Sequence, residues 1–365
     1  MKQLLLILLL FGFSNDLLAY PEMVRHGYVN CTTCHVSPNG GGVLTPYGRQ
    51  LSREVLSTWG SESEALFLYG AVKPPEWLLL GGDVRAMQMY VNSPNAEIAK
   101  FIFMQADAEA AASVDKFQLV ATLGRQDGKS VNQSGGAIFS RRHYLMYKPT
   151  DEWSFRVGRF EKAYGLNVAE HTVSTRRGLG WDEGGESYNL EGAWIRENTD
   201  VFATASIGRP DDSSLQREKA FALRASVAVR ENSKVGLGYI YGTNDVANRH
   251  VFGPYAVVGF TKHFFLLAEF DFQKRSPSTG ASTWGFVDYL RLDYEFVQGV
   301  HGYLSQELTR LDWNSQKSTL ETYGLGAQFF PRPHLEIQGV IQKQRNLLIS
   351  SEFSDVLWIQ GHLYL

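Results

Sequence analysis

From Glu76 to Leu365 the chain alternates apolar and polar residues with a period of two, segment after segment, and no apolar run of 18 interrupts the pattern. A side-chain period of two belongs to strands, and a membrane helix needs about 20 apolar residues in a row, so this stretch is built of strands. In "KHFFLLAEFDFQK", Phe264, Leu266, Ala268, Phe270 and Phe272 alternate with Glu269, Asp271 and Gln273. "HLEIQGVIQK", "FVDYLRLDYEF" and "FIFMQADAEAAA" repeat the pattern, setting Glu336 and Gln338, Arg291, Asp293 and Glu295, and Asp107 and Glu109 on their polar sides. One face suits lipid and the other water. A soluble β-sandwich with one wet face would show fewer and shorter strands.

Sixteen such segments run from 77–91 to 352–365, at about 18 residues per strand and connection. That length accommodates tilted spanning strands of about 9–11 residues with their loops, and an even count suits a single-chain bacterial barrel. The connections alternate too. "SVDK", "PTD", "ENT" and "PRPH" are tight, whereas "RQDGKSVNQSGGA", "GRPDDSSLQR" and "QKRSPSTGAS" are longer and polar. Short periplasmic turns and long outer loops are the asymmetry expected of outer-membrane barrels. The predicted fold is therefore all-β: a transmembrane antiparallel β-barrel of about sixteen strands over 76–365, with both chain ends on the periplasmic side. The longest connection, 161–185, carries His171, Arg176, Arg177 and Trp181 among glycines. It is either a constriction folded into the lumen, as the third loop of general porins is, or an exposed surface loop. Leu357, Ile359, Leu363 and Leu365 alternate toward the carboxyl terminus, resembling a barrel-insertion signal.

The other end has a different character. Lys2, the apolar run Leu4 to Phe13 and the small residue Ala19 read as a signal peptide over 1–19, which exports the chain. Residues 20–75 then form a short segment with little helix, one or two turns around "SREVLSTWGSESEALFLYG". Within it "NCTTCHVSPNGGG" holds both cysteines of the chain, Cys31 and Cys34, with His35 immediately after. A disulfide or thioredoxin-like pair needs no histidine there, and structural zinc wants a second ligand cluster that the sequence lacks. The remaining reading is one covalent haem c, with Cys31 and Cys34 as thioether attachments and His35 as the proximal iron ligand. His26 is the first choice for the distal iron position. Met23, His171 or no protein ligand are the alternatives.

Taken together, "YPEMVRHGYVNCTTCHVSPNGGGVLTPYGRQL" ahead of such a barrel resembles the fused monohaem cytochrome–porins of the outer membrane, known best from iron-oxidising bacteria. The matching positions are Pro21, Arg25, Cys31, Cys34, His35, Pro46, Tyr47, Gly48 and Arg49. The triple glycine Gly40 to Gly42 and the His35–Val36 step differ from the iron-oxidising members, so the outer redox partner need not be iron. The resemblance implies an electron-transfer protein rather than a substrate-turnover enzyme. It would lie in the outer membrane, with its haem segment on the periplasmic side or inside the barrel. It would carry electrons between an extracellular donor or acceptor and periplasmic carriers such as soluble cytochromes. A homotrimer is one assembly open to it, since porins often form trimers. The alternative is a passive diffusion porin whose amino-terminal plug is closed by a Cys31–Cys34 disulfide. A net charge of −3 argues against nucleic acid as a partner.

Overall fold

The computed structural model describes residues 22–125, 138–170, 172–181, 185–210 and 218–365. The predicted signal peptide, Pro21 and His171 lie outside the described residues, as do parts of the outer loops. The chain folds as a closed antiparallel barrel of sixteen strands in sequence order, sealed by pairing of the first strand, β1 (Leu78–Ser93), with the last, β16 (Ser354–Tyr364). Asp83 pairs with Tyr364 and Asn92 with Asp355 at the two ends of this seam. All sixteen predicted segments are strands, with ends shifted by no more than a few residues.

Side-chain direction follows the alternation. Leu119, Leu123, Val157, Leu190, Leu237, Leu304, Leu325 and Ile341 are exposed on the outer wall, where a lipid tail would cover them. Aromatic pairs border that wall at both ends. Trp284 stacks on Trp313 at 6.2 Å on the outer-loop side, and Tyr294 meets Phe296 edge-on at 5.1 Å on the turn side. Such amphipathic rings suit the two headgroup levels of a bilayer.

The inner wall differs from a water-filled channel, and here the sequence expectation is corrected. The inward residues Asp107, Glu109, Glu191, Glu269, Asp271, Asp293, Glu295, Arg156, Arg224 and Arg291 are all buried. They are covered by two chain segments that occupy the lumen. One is the amino-terminal segment, entering at the end that carries the tight turns. Arg25 is locked to Glu295 of β12 (Thr283–Val297) at 2.9 Å, and Lys234 of β9 (Ser233–Thr243) donates to the Val29 carbonyl at 2.6 Å. The segment leaves over the rim at Thr58 and Trp59, whose N–H groups donate to Phe330 and Pro331 at the end of β14 (Thr319–Arg332).

The other filler is the long connection after β5 (Trp153–Phe160), which folds inward. Tyr164 donates to Asp271 at 2.6 Å, the Leu166 N–H to Glu269 at 2.9 Å, and the Ser174 N–H to Glu307 at 2.6 Å. Glu170 accepts from Arg291 at 2.6 Å and from Gln338 at 2.8 Å. These partners belong to β11 (Phe264–Pro277), β12, β13 (Val300–Arg310) and β15 (Leu335–Asn346), so the connection crosses the lumen to the opposite wall. Of the two readings left open for it, the structure shows the constriction. The two fillers also meet. Val24 and Val29 pack with Leu166, Val168 and Val173 against the inward Tyr255, Val257, Phe265, Leu267 and Tyr289.

Candidate cofactor site in the barrel lumen

The cysteine motif is shaped by local rules. Cys31–Thr33 form a single 3-10 turn, closed by the Cys34 N–H donating to the Cys31 carbonyl at 3.2 Å, with the His35 N–H donating to the same carbonyl at 2.9 Å, which puts Cys31 and Cys34 about one turn apart on one side. A miniature hairpin follows, with His35 bridging Leu44 and the Val36 N–H donating to Val43 at 3.0 Å. Its tip needs three successive left-handed residues: Gly40, Gly41 and Gly42 have φ of 82°, 71° and 69°. Any L side chain there would cost about 1–2 kcal/mol per position, which explains the triple glycine. The tip folds back on the motif, because a Cβ on Gly40 would stand 3.4 Å from the Cys31 Sγ.

Helix α1 (Pro46–Leu51) then supports the motif from below. Thr45 caps it by accepting from the Gly48 N–H at 3.0 Å, with Pro46 preset for the first turn. Thr45 also donates its hydroxyl to Thr33 at 2.8 Å, tying cap and motif together. Gly48 sits so close to the Cys34 backbone that a Cβ there would overlap its carbonyl.

Around this scaffold lies a cavity of about 230 Å³ inside the barrel. Cys31, Cys34 and His35 line it, with Met23, Leu51, Leu56 and Phe160 on its apolar parts. Cys31 and Cys34 are unpaired thiols. Burial pushes the Cys34 thiol up to about 12, with Cys31 adding to the rise, and burial also raises Cys31. A reactive redox pair needs at least one thiol lowered toward neutrality, so these are poor thiolates at pH 7. The His35 imidazole is brought down to about 4, first by burial and then by repulsion from Arg142, against a backbone contact with Gly42. It is therefore neutral, the form that ligates metals. Its Nδ1 is buried without a hydrogen-bond partner.

Of the three residues considered for the opposite axial position, His171 lies outside the described residues, and the other two separate here. Met23 is buried, packs with Cys34, Leu51 and Leu56, and faces the cavity. His26, one turn on in the same 3-10 helix (Glu22–His26), is not among the residues lining the cavity. Its ring is also neutral, lowered to about 4 by burial and by Arg25, and its Nε2 is buried without a partner. Among the described residues no group of three His, Cys, Asp or Glu side chains is placed to hold a bare metal ion.

Of the polar side of the cavity, the sequence marked Glu109, Arg156 and Arg224 as inward and Arg176 as part of the long connection, but not that these charges converge on the cysteine motif. Arg85, Arg142, Arg156, Arg176, Arg224 and Lys234 line this side, against Asp83, Glu109, Glu161 and Glu186. They come from six different strands or loops, and the signal that could have found them is their inward parity combined with the long loop's arginines.

No family model matches the chain, and no curated protein matches it. Solved structures do. A loop-deletion form of OmpT, an outer-membrane protein of Vibrio cholerae, aligns with TM-score 0.62 at 12% identity over 79% of this chain and 99% of that one. The anion-selective porin of Comamonas acidovorans gives 0.61 at 11% identity over 79% and 99%. The trimer form of in-vitro folded OmpT gives 0.59 at 11% identity over the same shares. The likeness is one of fold.

Proposed function

We propose that this chain is an outer-membrane barrel of the porin type that carries one covalent haem c in its lumen and conducts electrons between an extracellular donor or acceptor and periplasmic carriers. The observation that supports the haem most is that two unpaired cysteines and a neutral histidine, in attachment spacing, face one cavity inside a barrel otherwise filled with protein. Cys31 and Cys34 would hold the porphyrin edge, and His35 would take the proximal iron position. Met23 is the better distal candidate than His26, because it faces the cavity. The bound haem would supply a one-electron couple whose potential depends on burial and on the axial ligand.

The chain's own residues do the rest. The plug and the inward loop exclude bulk water and solutes from the cavity, and the apolar outer wall meets lipid. A periplasmic carrier would reach the group from the end where the plug enters. Porin-type barrels include a trimer form, and a homotrimer is the assembly to look for in native extracts.

A second reading has the structural likenesses on its side: a passive diffusion porin whose amino-terminal segment only plugs the pore. The two are separated on one gel and one bilayer. The chain, expressed with c-type maturation, should stain for haem peroxidase after denaturing electrophoresis, and Cys31→Ala/Cys34→Ala should remove the stain. An unstained, inserted barrel with porin-like conductance would leave the diffusion reading in its place.

A further inference from the structure

The cavity's polar side is more organised than a set of scattered charges, and it converges on the glycine hairpin. Arg156, 3% exposed, donates from Nε to Glu191 at 2.6 Å and from Nη1 to Ser37 at 3.1 Å, with its plane 4.0 Å over the Phe160 ring. Its Nη2 is buried with no hydrogen-bond partner. Arg176, from the inward loop, pairs with Glu161 and donates from Nη1 to Asn167 at 3.2 Å. Asn167 in turn donates to the Asn39 carbonyl at 2.7 Å, and the Arg176 Nε is buried without a partner. Arg156 therefore bonds the hairpin directly at Ser37 and Arg176 is linked to it at Asn39 through Asn167, and each keeps a buried N–H unsatisfied while lining the same cavity.

An unsatisfied, desolvated guanidinium N–H is costly unless an acceptor occupies the space in front of it. The acceptor whose planar shape matches the guanidinium fork is a carboxylate. Six basic side chains against four acidic ones line the cavity, so its balance favours an anionic guest.

We infer that Arg156 and Arg176 are the carboxylate-binding side of this cavity and that they hold the propionates of the haem attached at Cys31 and Cys34. This rests on the haem reading above. Both are positioning residues. They orient the porphyrin by its carboxylate edge while the cysteines fix the opposite edge, and their charge stays close to the iron in a dry site. A nearby cation favours the more negative, reduced state, so they raise the midpoint potential.

The test uses the haem-loaded full chain in detergent. Arg176→Gln, Arg156→Gln and Arg156→Lys are compared with the unsubstituted protein by spectroelectrochemistry and resonance Raman spectroscopy. Haem staining and heat-modifiable migration serve as controls of attachment and folding. Each Gln variant should lower the midpoint potential and shift the propionate bending band, and Arg156→Lys should recover most of the potential by restoring the charge. If Arg156→Gln does not fold, Arg176→Gln decides, because it lies in a loop. Stained protein with an unchanged potential and Raman band in the folded Gln variants overturns the assignment and leaves the haem reading intact. Absence of haem from the unsubstituted chain sinks that reading, and this one with it. A third arm separates the sources of the anion. If added inorganic phosphate shifts the potential of the unsubstituted protein saturably, the arginines take a free anion and the propionate assignment fails.

Discussion

Removing Arg25 should unseat the plug without dismantling the barrel. Arg25 is 1% exposed, bonded to Glu295 at 2.9 Å and to the Lys262 carbonyl at 3.2 Å, and lies 5.0 Å over the Phe265 ring. Taking away one member of a buried ion pair costs about 3–5 kcal/mol, because the other charge stays behind uncompensated. Glu295 would keep the Gly299 N–H at 3.0 Å and His301 at 3.6 Å. The lower end applies, about 3 kcal/mol, or roughly a 150-fold increase in the population with residues 22–30 undocked. Planar-bilayer recording reads this directly: the unsubstituted chain should show rare openings, and Arg25→Met frequent ones. The double variant Arg25→Met/Glu295→Gln should recover part of the closure, since neutralising Glu295 removes the stranded charge. Equal open probability in Arg25→Met and the unsubstituted protein would refute the reasoning, as would a double variant as leaky as the sum of the single ones.

Other perturbations act on the same architecture. Gly165, at φ 51°, faces Glu269 with no room for a Cβ, so Gly165→Val should dislodge the inward loop and raise single-channel conductance. Gly48→Ala would press α1 off the Cys34 carbonyl; about 1–3 kcal/mol of overpacking should appear as a lower melting temperature and less haem per barrel on a stained gel. His334, in the turn after β14, is fully buried, and burial with repulsion from Arg49 lowers it to about 4; His26 is lowered to about 4 as well. Both bind protons more weakly folded than unfolded, so their contribution to plug docking is complete above pH 6.5 and is lost as pH falls from 6.5 toward 4. Conductance recorded across that range should rise on acidification, and His334→Gln should flatten the rise.

The strands were legible because lipid and protein interior both demand apolar side chains on alternate positions, while the opposite face tolerates polar ones. The closing of the lumen was harder to read, yet a signal existed. In "HFFLLAEF" the alternation breaks, because Phe265 and Leu267 stand where a water-filled channel would want polar residues. Both are buried against the plug and the inward loop, as are Tyr255 and Val257 on the neighbouring strand. Apolar residues at inward parity thus mark a filled barrel. The inward Glu269 and Asp271 looked like water-facing charges because sequence shows their direction and not what lies opposite. The cysteine motif was plain from its spacing. Its arginine side was not, because Arg142, Arg156, Arg176 and Arg224 are far apart in the chain and meet only through the barrel and the folded loop. Met23 and His26 lie one turn apart in the same 3-10 helix, and no local pattern encodes that Met23 faces the cavity while His26 does not.

The central claim is a covalent haem in a protein-filled barrel, and intact-protein mass spectrometry of the chain purified from the outer membrane of a c-type-maturing host tests it most directly. The account predicts a mature mass increased by one haem, and a Cys31→Ser/Cys34→Ser variant without the increase. A mature chain at its bare polypeptide mass, correctly inserted in the membrane, would contradict it.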